Sequence, residues 1–162
     1  MMNITIRPIL KKDNVDTARM IRNVFEEYNA NTEGTVYSDP TTDHLFELFQ
    51  QPKALFLLAE LNGEIHGSCG IFPTVGLPDK CAELVKFYVS NEIRGKGIGR
   101  ALYEKCEQAA IDFGYNQLYI ESTPDFSGAV SIYEKIGFVQ RQKPLGNSGH
   151  FGCNIWLTKQ LK

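Results

Sequence analysis

Three glycines alternate through Arg94-Gly95-Lys96-Gly97-Ile98-Gly99-Arg100. The segment follows residues 81–90, which are dense in β-branched and aromatic side chains and read as a strand. It precedes residues 97–113, where Ile98, Leu102, Cys106, Ala109 and Phe113 recur at the spacing of one helix face. A strand must therefore turn into a helix through a stretch almost without side chains, and several backbone N–H groups can converge there. The helix start adds N–H groups without intrahelical partners and the positive end of its dipole. Arg94, Lys96 and Arg100 add charge, so the turn reads as an anion site suited to phosphate or pyrophosphate. A tight turn with solvated charges is the plainer alternative. No Gly-x-x-x-x-Gly-Lys-Ser/Thr string exists in the chain. The dinucleotide fingerprint fails too: it needs glycine where Arg100 stands and belongs to the first strand–helix turn, whereas this turn follows the fourth strand.

The rest of the chain supplies the frame. Ile4-Thr5-Ile6-Arg7 alternates up to Pro8 as a first strand. Asp13 or Asn14 can cap a helix whose apolar face is Val15, Ala18, Ile21, Phe25 and Tyr28. Residues 29–40 are polar and read as a loop. Thr41 or Thr42 can cap a second helix with Leu45, Leu48 and Phe49 inside, ended by Pro52. Residues 54–61 and 64–75 are strand-like and meet at Asn62-Gly63, a strong hairpin signal. After the glycine turn and its helix, Gly114 sits where a left-handed helix stop is wanted. Residues 117–123 form a fifth strand, 127–136 a short helix, and 138–143 and 151–159 two late strands. The order is β-α-α-β-β-β-α-β-α-β-β. It predicts an α/β, or mixed α+β, fold: one sheet of six to seven strands flanked by about four helices, with a parallel crossover between strands four and five.

A chain of 162 residues is one domain by size, and 1–162 reads as a single domain. Its 17 basic and 19 acidic residues give a net charge of −2, which excludes a globally basic nucleic-acid binder. The longest apolar run, 54–59, is far too short for a membrane span of about 20 residues. The first residues lack the apolar stretch of a secretory signal. Cys69, Cys81, Cys106 and Cys153 form no Cys-x-x-Cys pair, so free buried thiols in a reducing cytoplasm are expected.

Three strings together resemble the GCN5-related N-acetyltransferases (GNAT). They are Val85-x-x-Tyr88-Val89, Arg94-Gly95-Lys96-Gly97-Ile98-Gly99-Arg100-Ala101-Leu102, and Ile132-Tyr133-Glu134-Lys135-x-Gly137-Phe138. Arg94-x-x-Gly97-x-Gly99 matches the family's signature for acetyl-coenzyme A, and the element order fits nearly the whole chain. The ending Pro144-Leu-Gly-Asn-Ser-Gly-His150-x-x-Cys153 resembles a bacterial subgroup. The resemblance implies an acetyl-CoA-dependent N-acetyltransferase acting on a small-molecule or peptide amine, with direct transfer in a ternary complex and no metal. A non-catalytic CoA-binding or sensor module is the alternative, and a nucleotide-binding protein of another family a third. The family is often dimeric, which leaves a homodimer open; no interface is readable here.

Carried onto these residues, the resemblance implies a slot where strands four and five splay. Backbone groups near Tyr88 and Val89 would hold the pantetheine arm, and an N–H near Val89 would meet the thioester oxygen as it becomes an oxyanion. The amides of Gly95, Lys96, Gly97, Ile98, Gly99 and Arg100 would hold the pyrophosphate. Ser127 stands where many members carry an asparagine that bonds the pantetheine.

Tyr133 is the candidate acid, since a phenol can protonate a departing thiolate; the alternative is a half-buried packing tyrosine. Glu83 is the candidate base, on the same strand face as Val85 and Phe87 by alternation; a rim carboxylate, with water as base, is the alternative. His150 and Cys153 come close in sequence and read as acceptor-pocket lining or packing. Metal binding there would need two or three further ligands. Tyr28, Glu33 and Tyr37 form either a cage for a cationic amine or a solvated loop.

Overall fold

The structure is a computed structural model that describes residues 3–126 and 128–162. Seven strands form one sheet: β1 (Ile4–Pro8), β2 (Leu55–Leu61), β3 (Glu64–Phe72), β4 (Cys81–Val89), β5 (Gln117–Ser122), β6 (Val139–Arg141) and β7 (Ile155–Gln160). Their order in space is β1-β2-β3-β4-β5-β7-β6. Every neighbouring pair is antiparallel except β4 with β5. The helices are α1 (Asn14–Glu27), α2 (Leu45–Leu48), α3 (Ile98–Asp112) and α4 (Ala129–Lys135). The predicted element order and strand number hold.

Local chemistry sets the joints. Asn62 and Gly63 both take positive φ, 52° and 83°, as the tight turn between Leu61 and Glu64 demands. Gly114, at φ 94°, stops α3, and the Tyr115 N–H bonds back to the Ala110 carbonyl at 3.0 Å. At the start of α1, Asp13 occupies the cap position but does not cap. Its carboxylate instead accepts from Arg7 at 2.8 and 3.0 Å and from the Leu10 N–H at 2.7 Å.

The sheet carries a core on each face. Leu102, Cys106 and Ala110 of α3 pack with Leu57, Ile71, Ala82 and Leu118 on one side. Ile21, Val24 and Phe25 of α1 pack with Leu45, Phe56, Leu58 and Val85 on the other. Truncating a fully buried Leu102 to alanine costs about 2–5 kcal/mol in such a setting.

Two predicted helix faces shift. Val15 is 67% exposed; the buried stripe of α1 is Thr17, Ala18, Met20, Ile21, Val24 and Phe25. In α3 the stripe includes Tyr103 and Ala110, with Ala109 only half-buried. The second helix differs more. Pro40–His44 is a 3-10 turn capped by Asp39, whose carboxylate accepts the Thr41 N–H, and only Leu45–Leu48 is α-helical. Asp39, rather than Thr41 or Thr42, provides the cap, and the helix is capped at its end by Phe49, before Pro52 is reached. Cys69, Cys81 and Cys106 are free and buried, while Cys153 is half-buried.

Candidate active site

Strands β4 and β5 pair only through Cys81↔Gln117, Ala82↔Leu118 and Glu83↔Tyr119. Beyond Glu83 they part, although β4 runs on to Val89 and β5 to Ser122. The gap opens into a cavity of about 530 Å³. One end is the glycine turn; the other holds Glu83, Glu121, His150 and Cys153, with Tyr133 on the α4 wall.

At the turn, Gly95 and Gly97 have φ of 77° and 80°, and a Cβ on either would meet no atom within 4 Å. Glycine is thus set by backbone conformation, and open space lies over the main chain. Gly97 is the N-cap of α3 and offers no side-chain cap. Ala101 is the first residue whose N–H bonds back, to the Gly97 carbonyl at 3.1 Å. The N–H groups of Ile98, Gly99 and Arg100 therefore stand free of the helix ladder, at the positive end of its dipole. Two of the predicted cations are already engaged by carboxylates. The Arg94 guanidinium pairs with Glu27, donates from Nε to the Val89 carbonyl at 2.8 Å, and lies 4.9 Å from the Tyr28 ring centre. Arg100 donates to Glu104 one helical turn on, at 2.7 Å. Lys96 is exposed.

The strand that lines the cavity is bulged. β3 and β4 pair Ser68↔Tyr88 and then Gly70↔Val85, so Cys69 alone faces Lys86 and Phe87. The extra residue resets the alternation. Ala82 and Leu84 point to the α3 side, and Glu83 and Val85 to the α1 side. Past the bulge, Phe87 and Val89 turn to the α3 side and Tyr88 to the α1 side. The expected shared face of Glu83, Val85 and Phe87 is therefore corrected: Phe87 leaves it and stands 6.3 Å, centre to centre, from the Tyr133 ring.

Glu83 is 4% exposed. Burial, and then the nearby Glu121 carboxylate, push its pKa up to about 7 against a Thr74 hydrogen bond and the Lys86 charge. The Thr74 hydroxyl donates to it at 2.6 Å. A carboxyl poised near neutrality in a cleft suits proton transfer. Burial holds the Tyr133 phenol well above its usual 10, so it stays protonated at neutral pH. Tyr88 shifts the same way, from burial first and then Cys153, Tyr133 and Glu83.

His150 lies against the cavity but is tied down: its Nε2 meets Asp39 Oδ2 at 2.7 Å. Burial pushes the Cys153 thiol up to about 12, which keeps it from acting as a thiolate at neutral pH. The aromatic cage does not assemble. Tyr28 is covered by Arg94, Tyr37 lies under Arg22 and donates to Glu26 at 2.6 Å, and Glu33 is exposed. Ser127 lies outside the described residues. Sequence reasoning missed Lys86, Asp39 and Glu121; a lone lysine inside an apolar strand was the one available signal.

A sequence profile of the acetyltransferase (GNAT) family matches residues 20–138. An uncharacterized N-acetyltransferase of Escherichia coli strain K12, YjgM, is 32% identical over 157 residues, covering 96% of this chain and 94% of its own length. The fold matches a GNAT-family acetyltransferase from Staphylococcus aureus Mu50 at a TM-score of 0.83 and 19% identity, over 99% of this chain and 100% of that one. It also matches the PaiA N-acetyltransferase of Thermoplasma acidophilum, solved in complex with coenzyme A, at 0.77 and 19% identity, over 98% and 99% of the two chains. With that profile match and that relative, the chain belongs to the GNAT acetyltransferase family.

Proposed function

We propose that this protein transfers an acetyl group from acetyl-CoA to a primary amine of a small molecule or peptide, within one ternary complex. One observation carries the reading: a single cavity, opened where β4 and β5 part, joins the bare amides of the glycine turn to Glu83 and Tyr133. A relative of the same fold holds coenzyme A. Acetyl-CoA supplies an acyl group activated as a thioester.

The residues divide the work by position. The N–H groups of Gly95 to Arg100 suit a diphosphate, since a Cβ at Gly95 or Gly97 would project into open space over them. Main-chain groups of Tyr88 and Val89, on the stretch of β4 without a β5 partner, suit the amide-bearing arm. Glu83, ionised above about pH 7, takes the proton of the attacking amine. As the new N–C bond forms, the C–S bond breaks, and Tyr133 donates a proton to the departing sulfur. Glu83 then restores the Tyr133 proton through water. Arg94 acts at second hand, fixing the Val89 carbonyl and the entry to the turn.

Thermal unfolding and thiol release test this together. Acetyl-CoA should raise the melting temperature where ATP and NAD do not. A panel of amines should then release free thiol. Stabilisation without thiol release on any amine overturns the transferase in favour of a CoA-binding module.

A further inference from the structure

The cavity holds a cation that the transfer chemistry does not use. Lys86 lines it and is 8% exposed. Lysine is seldom so deeply buried unless it is paired. Yet among the described residues Lys86 Nζ makes no hydrogen bond, and no carboxylate lies within 4 Å of it. The carboxylates that act on it from a distance, Glu83 and Asp39, are engaged elsewhere. Glu83 accepts from Thr74, and Asp39 accepts from His150, from the Thr41 hydroxyl at 2.7 Å and from the Thr41 N–H at 2.9 Å.

A second observation places Lys86 there by construction. Its φ is +53°. The other non-glycine residues with positive φ, Asn29, Lys53, Asn62 and Lys80, all lie outside strands, whereas Lys86 lies inside β4 at the bulge. The Ser68 hydroxyl holds that turn of backbone by donating to the Lys86 carbonyl at 2.6 Å. Left-handed backbone at a lysine is strained and persists where its surroundings enforce it.

We infer that Lys86 receives a carboxylate of the acceptor, so that the substrate is a free amino acid, held with its amine toward Glu83 and its carboxylate on the Lys86 ammonium. This deepens the proposed transferase and rests on it. The anionic part of the donor has its own seat, the glycine turn at the far end of the same cavity. A lone ammonium balances a monoanion. A phosphate dianion would stand against Glu83 and Glu121, which line the same cavity, with one cation to offset it. These two carboxylates suit the ammonium end of a zwitterion, and the buried lysine suits the other end.

The test uses the full chain with coenzyme A or acetyl-CoA and three matched sets of probes: α-amino acids, their carboxamides and their decarboxylated amines. The expected result is thiol release that favours the free acids at least tenfold in kcat/KM over both matched sets. Lys86→Met should erase that preference by raising KM for the acids at least tenfold while leaving KM for the decarboxylated amines within threefold, whatever the lost charge does to kcat through Glu83. Lys86→Arg should restore part of it, which separates lost charge from lost fold. Equal turnover of acids, amides and amines overturns the Lys86 assignment and leaves the transferase standing. Should no probe release thiol, binding decides: amino acids that raise the melting temperature of the wild type but not of Lys86→Met retain the carboxylate seat and overturn the transferase, and no such shift overturns both.

Discussion

Two places in this molecule bury opposite charges, and they treat them in opposite ways. Between β1 and α1, Arg7 meets Asp13 through two hydrogen bonds and Glu60 through two more, from Nη2 at 2.7 Å and from Nε at 3.3 Å. Burial alone would raise the Asp13 pKa; the Arg7 hydrogen bonds and the Leu10 N–H overcome it and hold the carboxyl below its usual range. In the cavity, Glu83 and Lys86 lie three residues apart on β4 and do not touch, so burial dominates and each drifts toward its neutral form. The first arrangement spends its charges on each other and fixes a corner. The second leaves them unmet, which costs stability and leaves them available to a ligand.

Replacing Glu83 with glutamine tests the contrast most severely. Activity should fall at least a hundredfold at pH 8, the scale of a lost general base, and the rise of kcat/KM through about pH 7 should vanish. Stability should move the other way. A carboxyl raised from 4.5 to about 7 binds its proton more tightly folded than unfolded. Its contribution is intact below about pH 4.5 and declines as pH rises to about 7. Glu83→Gln should therefore match the wild type at pH 4 and exceed it at pH 8 by at most about 3 kcal/mol. Denaturant melts at the two pH values measure this; a variant less stable than wild type at pH 8 would place Glu83 among the structural charges.

Asp13→Asn should do the reverse. Removing one partner of a buried pair costs about 3 kcal/mol, the low end because Glu60 stays with Arg7. The loss should be full at pH 7 and shrink as pH falls below about 4, where the wild-type carboxylate also gains its proton. Residual activity per folded molecule should be unchanged, as steady-state kinetics well below the melting point would reveal.

What the sequence made legible follows the same division. The Asn62-Gly63 hairpin, the helix stop at Gly114 and the left-handed glycines of the turn are local: each is set by residues adjacent in the chain. The glycine turn was found for that reason, and with it the family. The bulge at Lys86 needs β3 opposite it, and no pattern within residues 81–90 predicts where alternation breaks. The partner of Arg94, Glu27, is 67 residues away, so three cations at one turn read as an anion trap although Glu27 already holds Arg94 and Glu104 already holds Arg100. Glu83 was visible as a carboxylate on a strand. Its pKa near 7 depends first on burial and then on Glu121, against the Thr74 hydrogen bond, and only the fold brings these together.

Tyr133→Phe should have a smaller effect than Glu83→Gln. Water can protonate a departing thiolate, whose own basicity is modest. Turnover should drop about tenfold. The affinity for coenzyme A, measured by calorimetry, should stay within twofold, because the ring contacts to Phe87 and Phe138 survive. An unchanged turnover would remove the hydroxyl from the chemistry.

The least effect is expected from Glu27→Gln, and it asks to which kind of charge Arg94 belongs. If Arg94 is structural, its Nε bond to the Val89 carbonyl and its stacking on Tyr28 hold the guanidinium where it is. The half-exposed Glu27 pair then contributes about 1 kcal/mol or less. Coenzyme A affinity should change less than threefold, with the same dependence on salt. If Arg94 instead belongs with the charges kept for a ligand, freeing it from Glu27 supplies a mobile cation beside the glycine turn. Affinity would then tighten beyond threefold and weaken more steeply as salt screens the new contact. Titrating coenzyme A at two salt concentrations separates these outcomes; the first is expected, because the proposed diphosphate seat is built of main-chain amides at the start of α3 and draws nothing from that side chain.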